Sequence, residues 1–281
     1  MTAPTPQPYA APAPQPYAYV SPIPVRRATL GDALASEWTK IRSVRSTMWT
    51  LGVMILLMLA IGLGVAAIAS MSEESLGDES ALAFGFFGML PAAICVITLG
   101  VLTIASEYGT GMIRTTLTAC PSRSRVLTAK AVVYFLLVFV VGLVVTAVVG
   151  AAQVSMVDAA SAPTAAQWLR ATVGASAYLA FLGLAALALG TIIRHSAGAI
   201  TVMIGVMLLP LVAAMFMMAE ALRSVQEFLL TYAIPSQMIA LYSEKPPFDN
   251  GPAGWEPVLI MAGIAAAALG GAYALLNSRD V

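Results

Sequence analysis

Residues 131–152 read AVVYFLLVFVVGLVVTAVVGAA, a run of 22 residues without a single charge. At about 1.5 Å per residue a helix of this length extends about 33 Å, enough to cross a hydrocarbon core of about 30 Å. Charge-free runs of the same kind recur at about 49–69, 81–105, 171–193, 197–219 and 257–276. Six such runs predict an all-α polytopic membrane protein with six transmembrane helices. The first run is too long for a signal-peptide core and lies too deep in the chain, so it reads as a retained span. Pro91 and Pro210 fall inside the second and fifth runs and predict kinks. Gly183, Gly190, Gly270 and Gly271 give small surfaces for close helix contact.

Composition agrees. Of 281 residues, 59% are hydrophobic and 10% charged, and the mean hydropathy is +0.87. A soluble domain carries about 25% charge, so this chain lacks the polar surface to cover itself in water. That excludes an ordinary soluble enzyme, a nucleic-acid binder and a disordered chain. Two cysteines, Cys95 and Cys120, supply neither a disulfide framework nor a zinc site.

The net charge is zero, but its distribution is uneven. With six spans, 11 of the 14 Lys and Arg residues fall on the side of the termini, and 10 of the 14 acidic residues fall on the other. The positive-inside rule then places both termini in the cytoplasm of a plasma membrane of bacterial type. Trp38, Trp49, Trp168 and Trp255 all fall at predicted interfaces, as an aromatic belt requires.

Before the first span lie two segments. Residues 1–28 are rich in proline, with the near-repeat APTPQPYA and APAPQPYA at 3–10 and 11–18. This composition favours polyproline II over helix or sheet, and reads as a disordered cytoplasmic tail or a docking strand for an aromatic-lined groove. Residues 29–48 open on Thr29 and Asp32, which fit a capping box. Leu30, Leu34, Trp38, Ile41, Val44 and Met48 then recur at helical spacing. The segment reads as an amphipathic interfacial helix whose basic residues Lys40, Arg42 and Arg45 face anionic lipid. Glu37 falls in the middle of the apolar stripe and calls for a partner there.

Chemistry of the usual kinds is missing from the sequence. No charge-free run holds an Asp, Glu, Lys, Arg or His for a proton or ion relay. His195 is the only histidine, in a short turn, and no Gly-Lys pair exists to build a P-loop. No catalytic, metal or cofactor residue is therefore expected in this chain, and if it is driven by ATP, the nucleotide and its magnesium bind another chain.

Two loops carry the positive information. Residues 106–130 read SEYGTGMIRTTLTACPSRSRVLTAK. Glu107 is expected just ahead of a short helix at 110–119, where the helix dipole favours an acid. Gly109 and Gly111 allow a sharp exit from the membrane, and Pro121 closes the run. From residues alone this is either a plain interfacial loop with anchoring charges or a docking element. Residues 220–256 are long and too apolar for a bare connection. Leu222, Val225, Phe228 and Leu229 share a helical face, Pro235 interrupts, and Ser236 is placed to cap a second short helix reaching Tyr242.

Six spans, the segment ASEWTKIRSVRS before the first and EYGTGMIRTTLTACPSRSRVLTAK after the second resemble permease subunits of the type-2 ABC exporter family. The resemblance covers residues 29–281 and is most specific in the 106–130 loop. It implies that this loop holds a coupling helix docking in a groove of a separate ABC ATPase subunit. Glu107, Tyr108, Gly111, Arg114 and Leu117 are the implied contact residues, with Glu107 and Arg114 for charge-assisted bonds and Leu117 as apolar anchor. It further implies that Leu222, Val225, Phe228, Leu229 and Pro235 belong to external gate helices, and that a second permease copy or a related permease completes the pathway. The expected function is ATP-driven export of an amphipathic cargo such as a peptide antibiotic, drug or lipid-like molecule. A non-transporting membrane scaffold or sensor bound to an ATPase is the alternative.

Overall fold

The computed structural model describes residues 28–71, 80–157, 161–217, 219–243, 248 and 250–278. The proline-rich tail lies outside them except for Ala28. The described chain is helical, with no strand among the described residues. Helix α1 (Leu30–Ser43) starts on the expected capping box: Thr29 Oγ1 accepts from the Asp32 backbone N–H at 3.3 Å, and the Thr29 N–H donates to Asp32 Oδ2 at 2.8 Å. It ends earlier than the sequence suggests. Val44 is extended (φ −84, ψ 114) and divides the segment, so Arg45–Met48 belong to α2 (Arg45–Ser70).

The remaining spans are α3 (Gly85–Thr110), entered through a 3₁₀ turn at Ala81–Phe84, and α5 (Arg123–Met156), with α4 (Met112–Ala119) between them. Next, α6 (Ala165–Leu169) continues through a π turn at Arg170–Gly174 into α7 (Ala175–Ile193). Then follow α8 (Ser196–Phe216), α9 (Arg223–Tyr232), α10 (Ile234–Ala240) and α11 (Glu256–Ser278). The six helices long and apolar enough to cross a membrane are those expected. Their ends differ. The second and third spans run on past the charge-free windows to include Glu107 and Lys130, because both charges are paired inside the fold.

Helix α7 is the axis of the bundle. It packs on α3, α5 and α11, and most of its residues are buried. Its approach to α3 and α5 depends on glycine. A Cβ on Gly183 would run into the Tyr134 ring and hydroxyl, and one on Gly100 would meet the Gly183 carbonyl. Tyr134 fills the space so defined and donates to the Val96 carbonyl at 2.7 Å. Gly190 serves the same contact against Val101, whereas Gly270 and Gly271 face open space.

At the end of the bundle opposite α4, the two short helices of the long loop are present but arranged differently from expectation. Pro235 does not interrupt; it occupies the first turn of α10, where a missing N–H costs nothing. The cap is Ala233 rather than Ser236, which is buried, and the helix stops at Ala240. Helix α10 plugs this end. Met238, Leu241 and Tyr242 are buried, and Tyr242 lies over Gly85. Helix α9 stays outside, with Leu222, Val225 and Phe228 exposed and Leu229 partly covered. Gln226 ties it to α8 by donating to the Ala214 carbonyl at 2.9 Å. The expected gate residues thus fall into two groups, an exposed apolar face on α9 and a buried Pro235 on α10.

Candidate functional site: a charged clamp and a short helix

Four charged side chains meet where α1, α3, α4 and α5 converge. Lys130 Nζ lies 2.7 Å from Glu107 Oε1 and 2.8 Å from Glu37 Oε2. Lys40 Nζ lies 2.8 Å from Glu37 Oε1 and 2.9 Å from Glu107 Oε1. Two ammonium groups and two carboxylates therefore alternate in a closed, neutral ring. Lys130 is 1% exposed, and Glu37 and Glu107 are 4% exposed. Ions this deep are tolerated only when paired and hydrogen-bonded. The remaining donors are used: Lys130 also donates to the Thr103 carbonyl at 3.3 Å, and Lys40 to Thr116 Oγ1 at 3.2 Å. Burial pulls the Lys40 ammonium toward a lower pKa, but its bonds to Glu37 and Glu107 outweigh this and raise it above the ordinary lysine value.

The ring corrects two expectations. Glu107 is not at the start of the short helix. It sits in the last turn of α3, where the helix dipole disfavours an acid, and the two lysines offset that. Nor does it stand on the surface as a docking contact would: it is buried, with Oε1 bonded to both lysines and Oε2 making no hydrogen bond among the described residues. Glu37, the residue that spoiled the apolar stripe of α1, finds its partner in Lys130 across 93 positions.

Helix α4 hangs from this clamp. Gly111 adopts the left-handed conformation (φ 73, ψ 1), ending α3 and starting α4 in one residue. Gly109 lies within α3. Ile113 is buried beneath α4 and Lys40 reaches Thr116, while Arg114, Thr115 and Thr118 face outward. Leu117 is only partly exposed. Tyr108 is turned inward and lies under the Arg194 guanidinium, 5.1 Å from the ring centroid. Arg194 holds a left-handed backbone (φ 58) at the end of α7, so the α7–α8 turn is fastened to the foot of α3. His195 caps α8, its Nδ1 accepting from the Gly198 N–H at 3.0 Å. Of the expected contact residues, Arg114 is the one fully presented, Leu117 is half-presented, Gly111 makes the turn, and Glu107 and Tyr108 hold the bundle together.

Between α1 and α4 runs a groove of about 380 Å³, lined by Asp32, Ser36, Lys40, Met112, Thr115 and Ala119 among others. No group of His, Cys, Asp and Glu suited to a metal ion occurs among the described residues. The arrangement has the parts of a mechanical joint: a short outward helix fixed through an ion ring to two spans and to α1.

The family described as ABC-2 family transporter protein matches residues 33–210, well over half of the chain. The match runs from α1 into α8 and includes the whole clamp, whereas α9, α10 and α11 lie beyond it. No curated protein matches this chain.

Proposed function

This chain belongs to the ABC-2 transporter family, and from that premise we propose that it is the permease subunit of an ATP-driven exporter for an amphipathic cargo. A separate ABC ATPase binds ATP and magnesium and docks on α4 through Arg114, Thr115 and Thr118, with Leu117 at the margin. Both termini are cytoplasmic, and a second permease, identical or related, completes the pathway.

The observation that supports this reading most is the ring of Glu37, Lys40, Glu107 and Lys130. It binds the base of α4 to α1 and to the ends of α3 and α5, so a push on α4 is delivered to three helices together. A rigid transmitter is what a stroke arriving from outside the membrane requires. At the far end, α10 blocks the bundle and α9 presents Val225 and Phe228, which fits an outer gate that opens when the spans rock. A pathway walled by apolar helices suits a cargo that is itself largely apolar.

The test is ATP hydrolysis by the purified permease–ATPase complex in vesicles, with and without a fluorescent amphipathic peptide. Export predicts that the peptide stimulates hydrolysis and moves across the membrane only with ATP. A scaffold or sensor predicts a bound ATPase whose turnover ignores the peptide.

A further inference from the structure

A second groove, of about 630 Å³, lies between the outward face of α1 and the membrane-facing side of α5. Leu34, Ala35 and Trp38 form one wall, and Val132, Leu136 and Val140 are prominent on the other. Every lining residue is apolar, and the volume falls in the range of about 300–1,000 Å³ usual for small-ligand sites. On α5 the exposed residues follow at four-residue intervals, with Val132 40%, Leu136 53%, Val140 53%, Val144 58% and Val148 54% exposed. The groove therefore opens into a continuous exposed apolar stripe along a membrane-spanning helix.

Its dimensions identify the occupant. From Val132 to Val141 the wall is about 14 Å long at about 1.5 Å per residue, close to the depth of one leaflet in a core of about 30 Å. At its α1 end stands Trp38, an amphipathic ring suited to the headgroup level. The Arg42 guanidinium lies 5.9 Å over that ring. Among the described residues no carboxylate pairs with Arg42. A cation at the mouth of a leaflet-deep apolar slot matches one molecule in a membrane: a phospholipid with an anionic headgroup.

We propose that the α1–α5 groove is a binding site for an anionic phospholipid, with one acyl chain between Trp38 and Leu136 and the headgroup phosphate at Arg42. The bound lipid wedges α1, which carries Glu37 and Lys40 of the clamp, against α5, which carries Lys130. The lipid is then a structural part of the coupling joint rather than bulk solvent. The proposal rests on α1 lying along the membrane, as the proposed function has it.

The experiment uses the full chain with Trp38 as its only tryptophan (Trp49→Phe, Trp168→Phe, Trp255→Phe) in vesicles containing a minor fraction of tail-brominated lipid. Brominated phosphatidylglycerol should quench Trp38 more strongly than brominated phosphatidylcholine, with an apparent preference of roughly fivefold, as expected for one basic residue near an anionic surface. Arg42→Gln should remove the preference while leaving some quenching. Equal quenching by both lipids would overturn the site while leaving α1 at the membrane. Quenching by neither would overturn both the site and the membrane placement of α1. Native mass spectrometry of the unaltered chain gives an independent reading: phosphatidylglycerol should stay bound and Arg42→Gln should release it. Equal retention by both proteins would contradict the proposal.

Discussion

Lys130 and Glu107 sit 2.7 Å apart, Nζ to Oε1, on two different transmembrane helices and 23 positions apart in sequence. Both are buried, so the pair cannot be treated as a surface salt bridge worth a few tenths of a kcal/mol. Removing one member of such a pair strands the other in a low-dielectric site and costs about 3–5 kcal/mol. Lys130→Met leaves Glu37 and Glu107 facing a single lysine and should lower stability by about that amount in thermal unfolding in detergent. Adding Glu107→Gln restores neutrality, leaving Glu37 with Lys40, and should recover part of the loss. A double variant no more stable than Lys130→Met alone would show that the ring is not one electrostatic unit.

Lys40 gives a pH signature. Its folded pKa is raised, so its contribution is present in full below the ordinary lysine value of 10.5 and is lost as pH rises through the folded value. The stability gap between the native chain and Lys40→Met should stay constant from neutral pH to pH 10, about half a unit below that value, and close only at higher pH. A gap that closes near neutrality would mean that Lys40 is not held by the two carboxylates.

Gly111 is the hinge between α3 and α4. Any residue with a Cβ in this left-handed conformation is strained by about 1–2 kcal/mol. Gly111→Ala should cost that much stability, while Gly109→Ala, within a helix and with open space around it, should be neutral or slightly stabilising. Equal effects at the two positions would contradict the hinge.

Gly183 and Gly270 make a matched pair of tests for helix packing. Gly183→Ala forces Tyr134 to move and to loosen its bond to the Val96 carbonyl, an overpacking cost of about 1–3 kcal/mol. Gly270→Ala meets nothing within 4 Å and should leave the stability of this chain unchanged. Thermal unfolding of the two variants reads the difference directly.

The contrast between what the sequence shows and what it hides has a common cause. Six spans are legible because each is a run of apolar residues long enough to cross a bilayer, and that signal is local. Helix ends are not, because a charge ends a run only if it must reach water. Glu107 and Lys130 look like loop residues in the sequence; paired with each other, they extend α3 and α5. Glu37 was detectable as an anomaly in an apolar stripe, and helical spacing puts Lys40 within its reach, but its second partner, Lys130, is 93 positions away, and no spacing rule connects them. The hinge at Gly111 was visible as a glycine near a short helix. Glu107 reads in the sequence as a contact for a partner subunit, but in the fold its Oε1 is held by Lys40 and Lys130, an arrangement that depends on helices far apart in the chain.

The central claim is that α4 is the surface on which an ATPase acts. A photocrosslinking residue in place of Thr115, on the outward face beside Arg114, tests it most directly in native membranes, with the same residue in place of Phe228 on α9 as control. The account predicts an adduct between position 115 and a P-loop ATPase, identified by its peptides, reduced in the Arg114→Ala background and missing at position 228. An adduct at position 115 with lipid alone, or an ATPase adduct of equal strength at position 228, would contradict it.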